Sequence, residues 1–219
     1  MQRCAVVRSG LTLRSACLSC SGQPTRGQLH LERGQPLYLE GEPAAFVYAV
    51  VSGYVREQRS TADGRAQGVR LVGPGEVTGI EALRPSTASS GDSGTYQGSA
   101  ETLSEAQVCR VPRAELEQEL RAHEDSALAL IGALVRELEL LKDTILWITV
   151  MSAEERVLAL LQRFAATAPS PSFQLPITRL EMGRLLGLSH STVSRTLHRL
   201  AKQGRLSLEG RTVRLWSLS

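Results

Sequence analysis

Four cysteines are the side chains in this sequence whose type and spacing most readily support chemistry. Cys17 and Cys20 form a C-x2-C pair, Cys4 lies thirteen residues before it, and Cys109 stands far along the chain. A C-x2-C pair binds zinc or forms a redox-active dithiol. Cys109 lies in the strand-like run Ala106–Pro112, where a cysteine also serves as a small core residue. These residue types leave a metal centre, a thiol switch and an inert core role open.

The four histidines do not complete a catalytic site. They are spread over separate segments, at His30, His123, His190 and His198. The short strands predicted for residues 29–111 would also suit a metalloenzyme of the cupin type. Such an enzyme needs histidine ligands close together. No Ser-His-Asp or Cys-His arrangement stands out either. We therefore expect that the protein is not an enzyme.

A basic segment lies at the C-terminal end. Residues 174–219 carry eight basic and two acidic side chains, a net charge of +6, which leaves −3 for the rest because the total is +3. A compact basic segment beside an acidic body favours a polyanion such as DNA as the partner.

Two short helices joined by a tight turn are predicted within this basic segment. Thr178 and Glu181 form a capping box that begins the first helix, which stops at Gly187. Ser189 is the predicted N-cap of the second helix. The pattern is a helix-turn-helix, and the alternating residues 205–216 predict a β-hairpin wing after it. The apolar residues expected on the inward faces are Leu180, Leu185, Leu186, Leu188, Val193, Leu197 and Leu200.

The second helix of a helix-turn-helix enters the major groove of DNA, and its first turns face the base edges. The residues predicted to reach the bases are His190, Ser191, Ser194 and Arg195. Arg195 can donate two hydrogen bonds to guanine, which discriminates between bases by about 1–3 kcal/mol. The predicted phosphate contacts, which set the register without reading sequence, are Thr178, Arg179, Ser189, Thr192 and Arg199.

Short strand-like runs between glycines predict a β-barrel or β-roll over residues 29–111. Asp63 and Gly64 mark a hairpin turn, because both residues tolerate the positive φ of a type I′ turn. Residues 85–94, rich in Ser, Thr and Gly, predict a flexible surface loop.

A long helix is predicted after the strands, at residues 124–150. Its apolar residues recur at spacings of three and four, the heptad pattern of a helix that pairs with another helix. The pattern predicts a homodimer seam at Ile131, Leu134, Leu138, Leu141, Ile145 and Ile148. A second stripe, formed by Leu140, Trp147 and Val150, lies on another side of this helix, and a single buried core helix is the alternative.

The chain has 219 residues, of which 42% are apolar, enough for one large domain or two modest ones. The longest apolar run, residues 145–151, is too short to cross a bilayer. The apolar run near the N-terminus is too short for a signal peptide. We therefore expect a cytoplasmic protein with no membrane partner.

These motifs together resemble the Crp/Fnr superfamily of bacterial transcription regulators. The segments that carry the resemblance are Glu32–Glu42, Val51–Val55, Asp63–Arg65, Gly73–Gly79, Ser152–Val157 and Gly187–Arg195. Many members of this superfamily carry a glutamate at the position of Ser191, where it accepts a hydrogen bond from cytosine. The shorter Ser191 is less selective.

The resemblance implies an α+β fold with an N-terminal cyclic-nucleotide-binding-like β-roll, a long dimerisation helix and a C-terminal winged helix-turn-helix. The implied division is a cysteine-containing segment at 1–28, a sensor domain at 29–123, the dimerisation helix at 124–150 and the DNA-binding domain at 151–219. It implies a homodimer on palindromic promoter DNA, with half-sites ~34 Å apart, and RNA polymerase as a further partner.

The cysteines look like those of the oxygen-sensing branch of the superfamily. That likeness implies a [4Fe–4S] cluster held by Cys4, Cys17, Cys20 and Cys109. The branch usually has a third ligand a few residues after its C-x2-C pair, and residues 21–28 contain none, so Cys4 takes that role in this prediction. A bound zinc ion, a thiol switch and cysteines without function are the alternatives.

Sensing of a small effector, or no sensing at all, is the alternative to a cluster. Cyclic-nucleotide receptors of this fold hold the phosphate with an Arg-Ser pair after a Gly-Glu-Val-like segment. Glu76 stands in such a segment, but no arginine stands just before Ser99. The nearest arginine that could hold the phosphate is Arg84. A buried phosphate without a cation is costly.

The oxygen-sensing branch also carries an acid on its dimerisation helix, where two like charges oppose pairing. Asp143 takes that place here, on the stripe that contains Trp147. This assignment conflicts with the heptad seam, and a solvated Asp143 is the alternative.

Overall fold

We describe the protein from a computed structural model that covers residues 27–60, 66–84, 94–168 and 170–216, with backbone alone for 66–69. The strands are β1 (Gln28–Leu31), β2 (Pro36–Tyr38), β3 (Phe46–Ser52), β4 (Val55–Ser60), β5 (Ala66–Val72), β6 (Val77–Thr78), β7 (Ser99–Thr102), β8 (Ala106–Pro112), β9 (Ser172–Gln174), β10 (Leu206–Glu209) and β11 (Thr212–Leu215). The helices are a 3-10 turn (Ile80–Leu83), α1 (Arg113–Ala122), α2 (Glu124–Val150), α3 (Ala153–Thr167), α4 (Arg179–Leu186) and α5 (His190–Lys202). The predicted α+β fold is confirmed.

The chain divides into two compact units, residues 1–137 and 138–219. The division falls inside α2, so the first half of that helix belongs to the strand-rich unit.

Two antiparallel four-stranded sheets build the first unit. Their strand orders are β1-β8-β3-β6 and β2-β7-β4-β5. The alternation of side chains along each strand places one set of apolar residues in a shared core. That core includes Tyr38, Val50, Val55, Val72, Val108 and Leu116. Leu116 comes from α1, and Leu130 extends the core into α2.

The hairpin predicted around Asp63 and Gly64 is present as the antiparallel pair β4–β5, in which Ser60 lies opposite Ala66. The turn itself lies outside the described residues, as does the loop predicted at 85–94 apart from Gly94.

The second unit combines the second half of α2 and the helices α3, α4 and α5 with the three-stranded sheet β10-β11-β9. Capping boxes begin α3 at Ser152 and α4 at Thr178, as predicted. The predicted wing is the hairpin β10–β11.

The prediction that Leu180 faces inward is wrong. Leu180 is 49% exposed, whereas Met182 is fully buried. The two residues are separated by a rotation of about 200° around α4, so they face opposite sides. In a helix of eight residues, Met182 and Leu186 already fill the inward face.

Candidate nucleic-acid interface and sensor region

The recognition helix α5 begins at a cluster of hydroxyl groups. The Ser189 side chain accepts a hydrogen bond from the backbone N–H of Thr192, at 3.1 Å, and so caps the helix. Its hydroxyl also lies 2.9 Å from that of Ser191 and 2.8 Å from that of Thr192. The cap fixes the first turn of α5, from which the predicted base contacts project.

The outward face of α5 carries most of the predicted base contacts. His190, Ser191 and Arg195 are exposed, and Ser194 is half-buried. The buried face packs Val193, Leu197 and Leu200 into the unit.

Two residues that were not predicted, His198 and Lys202, are also exposed on the outward face of α5. They lie seven and eleven residues after Ser191, and this helical spacing is the signal that could have identified them.

A close approach of two backbone segments sets the angle between α4 and α5. Gly187 has a φ of 65°, and the N–H of Leu188 donates to the carbonyl of Gly183 at 2.8 Å. A Cβ atom on Gly183 would lie 2.5 Å from the carbonyl oxygen of Leu188. The turn therefore needs a glycine at 183 as well as the predicted one at 187.

The predicted phosphate contacts at the start of α4 are engaged within the protein. Thr178 Oγ1 accepts from the N–H of Glu181 and donates to its carboxylate at 2.7 Å. Arg179 Nη1 donates to Ser194 Oγ at 2.9 Å, and Arg179 Nη2 donates to the carbonyl of Gly210 at 3.4 Å. The sequence contains no local signal for this contact, because Arg179 and Ser194 lie on different helices.

Arg199, another predicted phosphate contact, is exposed and lies 3.7 Å from a carboxylate oxygen of Glu154. Arg205 lies 3.4 Å from the other oxygen of the same carboxylate. Glu154 thus partly neutralises the end of α5.

Arg156 satisfies the carbonyl groups at the ends of two helices. It donates to the carbonyl of Ile148, in the last turn of α2, at 2.7 Å, to that of Met151, just after α2, at 2.9 Å, and to that of Leu186, the last residue of α4, at 3.1 Å. These carbonyls have no partner within their helices.

A buried charge cluster lies in the first unit, centred on Arg70. Its guanidinium lies 3.1 Å from Glu137 of α2, 3.4 Å from Glu57 of β4 and 4.0 Å from Glu76. It also donates to the carbonyl of Val77 at 2.9 Å. One arginine thus faces three carboxylates, a net negative cluster that disfavours a bound phosphate.

Aromatic and hydroxyl side chains continue this cluster. Tyr38 lies with its hydroxyl 2.6 Å from that of Thr78, which donates to Glu57. The rings of Tyr38 and Tyr96 stack with centroids 4.0 Å apart. Burial raises the pKa of both phenols, so they stay neutral hydrogen-bonding groups at physiological pH.

The residues matched to a cyclic-nucleotide site have other partners. Glu76 accepts from the N–H of Gly73 at 3.1 Å, and Ser99 accepts from the N–H of Glu40 at 2.9 Å.

Cys109 is buried in β8, directly opposite Gln28 of β1. Cys20 precedes Gln28 by only eight residues, which span at most about 29 Å when extended. Cys4, Cys17 and Cys20 lie outside the described residues. Within the part of the chain that the structure describes, no three His, Cys, Asp or Glu side chains group as metal ligands. The position of Cys109 beside the end of the N-terminal segment is compatible with a shared ligand set.

The predicted dimer seam on α2 is largely open in the single chain. Ile131, Leu138, Ile145 and Ile148 are exposed, while Leu134 packs partly against the core of the first unit and Leu141 is half-buried. Exposed Leu128 and Val135 extend the apolar surface of the helix. Asp143 is exposed.

No helix in the described ranges is long and apolar enough to cross a membrane.

Two family models match the chain. The cyclic nucleotide-binding domain matches residues 28–123, and the Crp-like helix-turn-helix domain matches residues 155–218.

Curated relatives match most of the chain. The transcriptional activator protein FnrA of Stutzerimonas stutzeri is 30% identical over 190 residues, covering 84% of this chain and 75% of the relative. The fumarate and nitrate reduction regulatory protein of Escherichia coli (strain K12) is 28% identical over 188 residues, with 84% and 72% covered.

Solved structures share the fold. FixK2 from Bradyrhizobium japonicum matches with a TM-score of 0.75 at 31% identity, over 87% of this chain and 92% of that one. The c-di-GMP responsive global regulator CLP of Xanthomonas campestris shares the fold alone, with a TM-score of 0.65 at 20% identity, over 94% and 99% of the two chains. The chain therefore belongs to the Crp/Fnr family of DNA-binding transcriptional regulators, a family that typically dimerises and is not one of enzymes.

Proposed function

We propose that this protein controls transcription in response to a redox or oxygen signal, sensed by a [4Fe–4S] cluster on Cys4, Cys17, Cys20 and Cys109. The observation that carries the proposal is the position of Cys109 in β8, opposite the residue at which the segment bearing the other three cysteines enters β1. When bound, the cluster would supply oxygen-sensitive iron–sulfur chemistry. Cys109 would tie the N-terminal segment to the core of the sensor domain.

In the DNA-binding domain, one set of residues contacts the bases and another set contacts the phosphates. Ser191, Ser194, Arg195 and His190 reach the base edges, with Arg195 donating two hydrogen bonds to a guanine. Thr178, Ser189, Thr192 and Arg199 set the register on the phosphates, while Arg179 is hydrogen-bonded to Ser194 and Gly210 within the protein. Arg199 exchanges its Glu154 partner for a phosphate on binding, which its exposure permits.

Homodimerisation through α2 brings two recognition helices to successive turns of a palindromic promoter, ~34 Å apart. The proposed seam is Ile131, Leu134, Leu138, Leu141, Ile145 and Ile148. Asp143 would oppose pairing if two copies faced each other. The division into 1–28, 29–123, 124–150 and 151–219 belongs to this proposal, as do contact with RNA polymerase and a cytoplasmic location.

A regulator that responds to a small effector is the second candidate. The charge cluster around Arg70 favours it, since buried polar groups in a β-roll can bind a ligand. The excess of carboxylates argues for a cationic or neutral effector over a phosphate ester.

The first test is the iron and sulfide content, with a visible spectrum, of protein purified without oxygen. We expect about four irons and four sulfides per chain, lost in air and reduced in Cys109→Ser. Ala49→Ser, on the neighbouring strand, is the control and retains the cluster. A colourless wild-type protein that still binds DNA would reject the cluster and favour the effector.

The second test concerns the DNA-reading residues. Arg195→Ala should abolish the preference for guanine at one position of the half-site, while Arg199→Ala should weaken all sites alike and flatten the salt dependence. Equal loss on every sequence for Arg195→Ala would contradict its assigned role.

A further inference from the structure

Arg179 joins three elements of the DNA-binding unit. It is the first residue of α4, it donates to Ser194 Oγ on α5 at 2.9 Å, and it donates to the carbonyl of Gly210 in the wing turn at 3.4 Å. Both Arg179 and Ser194 are half-buried, whereas Arg195 beside them is exposed. The guanidinium therefore faces the interior of the helix-turn-helix as well as its surface.

The direction of this hydrogen bond is fixed by chemistry. A guanidinium is charged at every physiological pH and can only donate, so Ser194 Oγ must be the acceptor. A serine hydroxyl has one proton and two lone pairs, and one lone pair is taken by Arg179. The positive charge beside the oxygen also disfavours a second incoming donor. The hydroxyl proton is then the group that Ser194 can offer to an outside partner.

We propose that Arg179 is a positioning residue for base readout, which holds Ser194 as a hydrogen-bond donor toward the major groove. A serine held in this way selects bases that present an acceptor, such as O4 of thymine or N7 and O6 of guanine. It disfavours cytosine, whose major-groove edge presents only an amino group, whereas adenine also offers N7 as an acceptor. The inference rests on the proposed function, because Ser194 is a proposed base contact there.

The second bond of Arg179 fixes the wing. Arg211, next to Gly210, donates to the carbonyl of Leu175 at 2.8 Å, so the wing turn is held on both sides. The planar fork of Arg179 can reach Ser194 and Gly210 together, and a lysine ammonium cannot reproduce that geometry. This separates a positioning role from a simple phosphate contact, for which a positive charge suffices.

The test is competitive binding of the full-length protein to DNA with randomised half-sites. The proteins compared are the wild type, Arg179→Met, Arg179→Lys, Ser194→Ala and the double variant of Arg179→Met with Ser194→Ala. We expect Arg179→Met and Ser194→Ala each to lower the preference at the same base pair by about five- to tenfold. The double variant should lose no more than either single one, because the two residues act as one unit. The preference set by Arg195 should remain.

Arg179→Lys distinguishes position from charge. We expect it to keep the overall affinity and the salt slope while losing the preference at the Ser194 base pair. Arg184→Met, which removes the same charge from an exposed site on α4, is the matched control and should leave every base preference intact.

Two results would overturn the inference. One is a uniform loss of affinity in Arg179→Met, with a salt slope lowered by about one and restored by Arg179→Lys, as for a phosphate contact. The other is a Ser194→Ala variant with unchanged base preferences. A wild-type protein without any base preference would reject the proposed DNA readout itself. If Arg179→Met fails to fold, the lysine variant and Ser194→Ala decide the same question.

Discussion

Gly183 is the residue on which the geometry of the helix-turn-helix most depends. The carbonyl oxygen of Leu188 occupies the space that a side chain at 183 would need, at 2.5 Å from its Cβ. Relief requires movement of backbone, which also carries the N-cap Ser189 and the start of α5. A single methyl group added at this position would therefore displace the proposed base contacts at the start of α5.

Gly183→Ala should lower the free energy of unfolding by about 1–3 kcal/mol, the usual cost of forcing an extra carbon into packed structure. It should also weaken DNA binding. The measurements are chemical denaturation and promoter affinity. Gly132→Ala is the control, because its Cβ would meet only the flexible end of Arg136 at 3.5 Å in the middle of α2. It should be neutral or stabilising by up to about 1 kcal/mol. Equal effects of the two substitutions would show that the contact with Leu188 has no special cost.

An ion pair between Arg70 and Glu137 joins the first half of α2 to the strands. Glu137 is the ion-pair partner of Arg70 that the helix supplies. The other carboxylate oxygen of Glu137, Oε2, is buried with no hydrogen-bond partner among the described residues. Burial raises the pKa of the Glu137 carboxyl; Arg70 lowers it, while Glu57, Glu76 and Glu81 add to the rise. The ionised form is therefore less favourable here than in water.

The pH dependence of stability follows from that sign. The unfolded-state pKa of a glutamate is about 4.3. When the folded-state pKa is higher, the free energy of unfolding of the protein falls as pH rises from the unfolded-state pKa to the folded-state pKa. We expect Glu137→Gln to remove this loss, with a Tm at neutral pH equal to or above that of the wild type. Thermal unfolding from about pH 4 to pH 8 measures it. Glu139→Gln, an exposed site on the same helix, should leave the dependence intact. A lower Tm for Glu137→Gln at neutral pH would contradict the prediction.

Arg70→Met should lower the free energy of unfolding. It leaves three carboxylates without their cation, and the loss of one partner from a buried ion pair costs about 3–5 kcal/mol.

The elements that could be predicted from the sequence are those coded by neighbouring residues. Capping boxes at Ser152 and Thr178 and the C-terminal Gly187 are signals within one or two turns, and they placed the helix-turn-helix correctly. The cluster around Arg70 joins residues 57, 70, 76 and 137, and no local period brings them together. The bond from Arg179 to Ser194 escaped prediction for the same reason. Exposed polar residues at helical spacing predict which face meets DNA, but not which side chains bond to each other.

The long helix α2 exposes an apolar surface that a partner molecule can cover. Leu138 is 56% exposed and Ile145 is 63% exposed, one heptad apart. A second copy of the chain can cover this surface with the same residues, as twofold symmetry requires. Val150, 73% exposed, belongs to the other stripe, together with Trp147 and Asp143. The two stripes therefore make different predictions about which substitution separates the subunits.

Ile145→Glu should produce a monomer, because two carboxylates would face each other across the proposed seam without a cation. Val150→Glu introduces the same charge on the other stripe and should leave the dimer intact. Sedimentation equilibrium gives the mass of each variant. Binding to a full palindrome and to a single half-site gives the functional consequence, since only a dimer gains affinity from the second half-site. A monomeric Val150→Glu beside a dimeric Ile145→Glu would move the seam to the stripe of Asp143, where like charges would then oppose pairing.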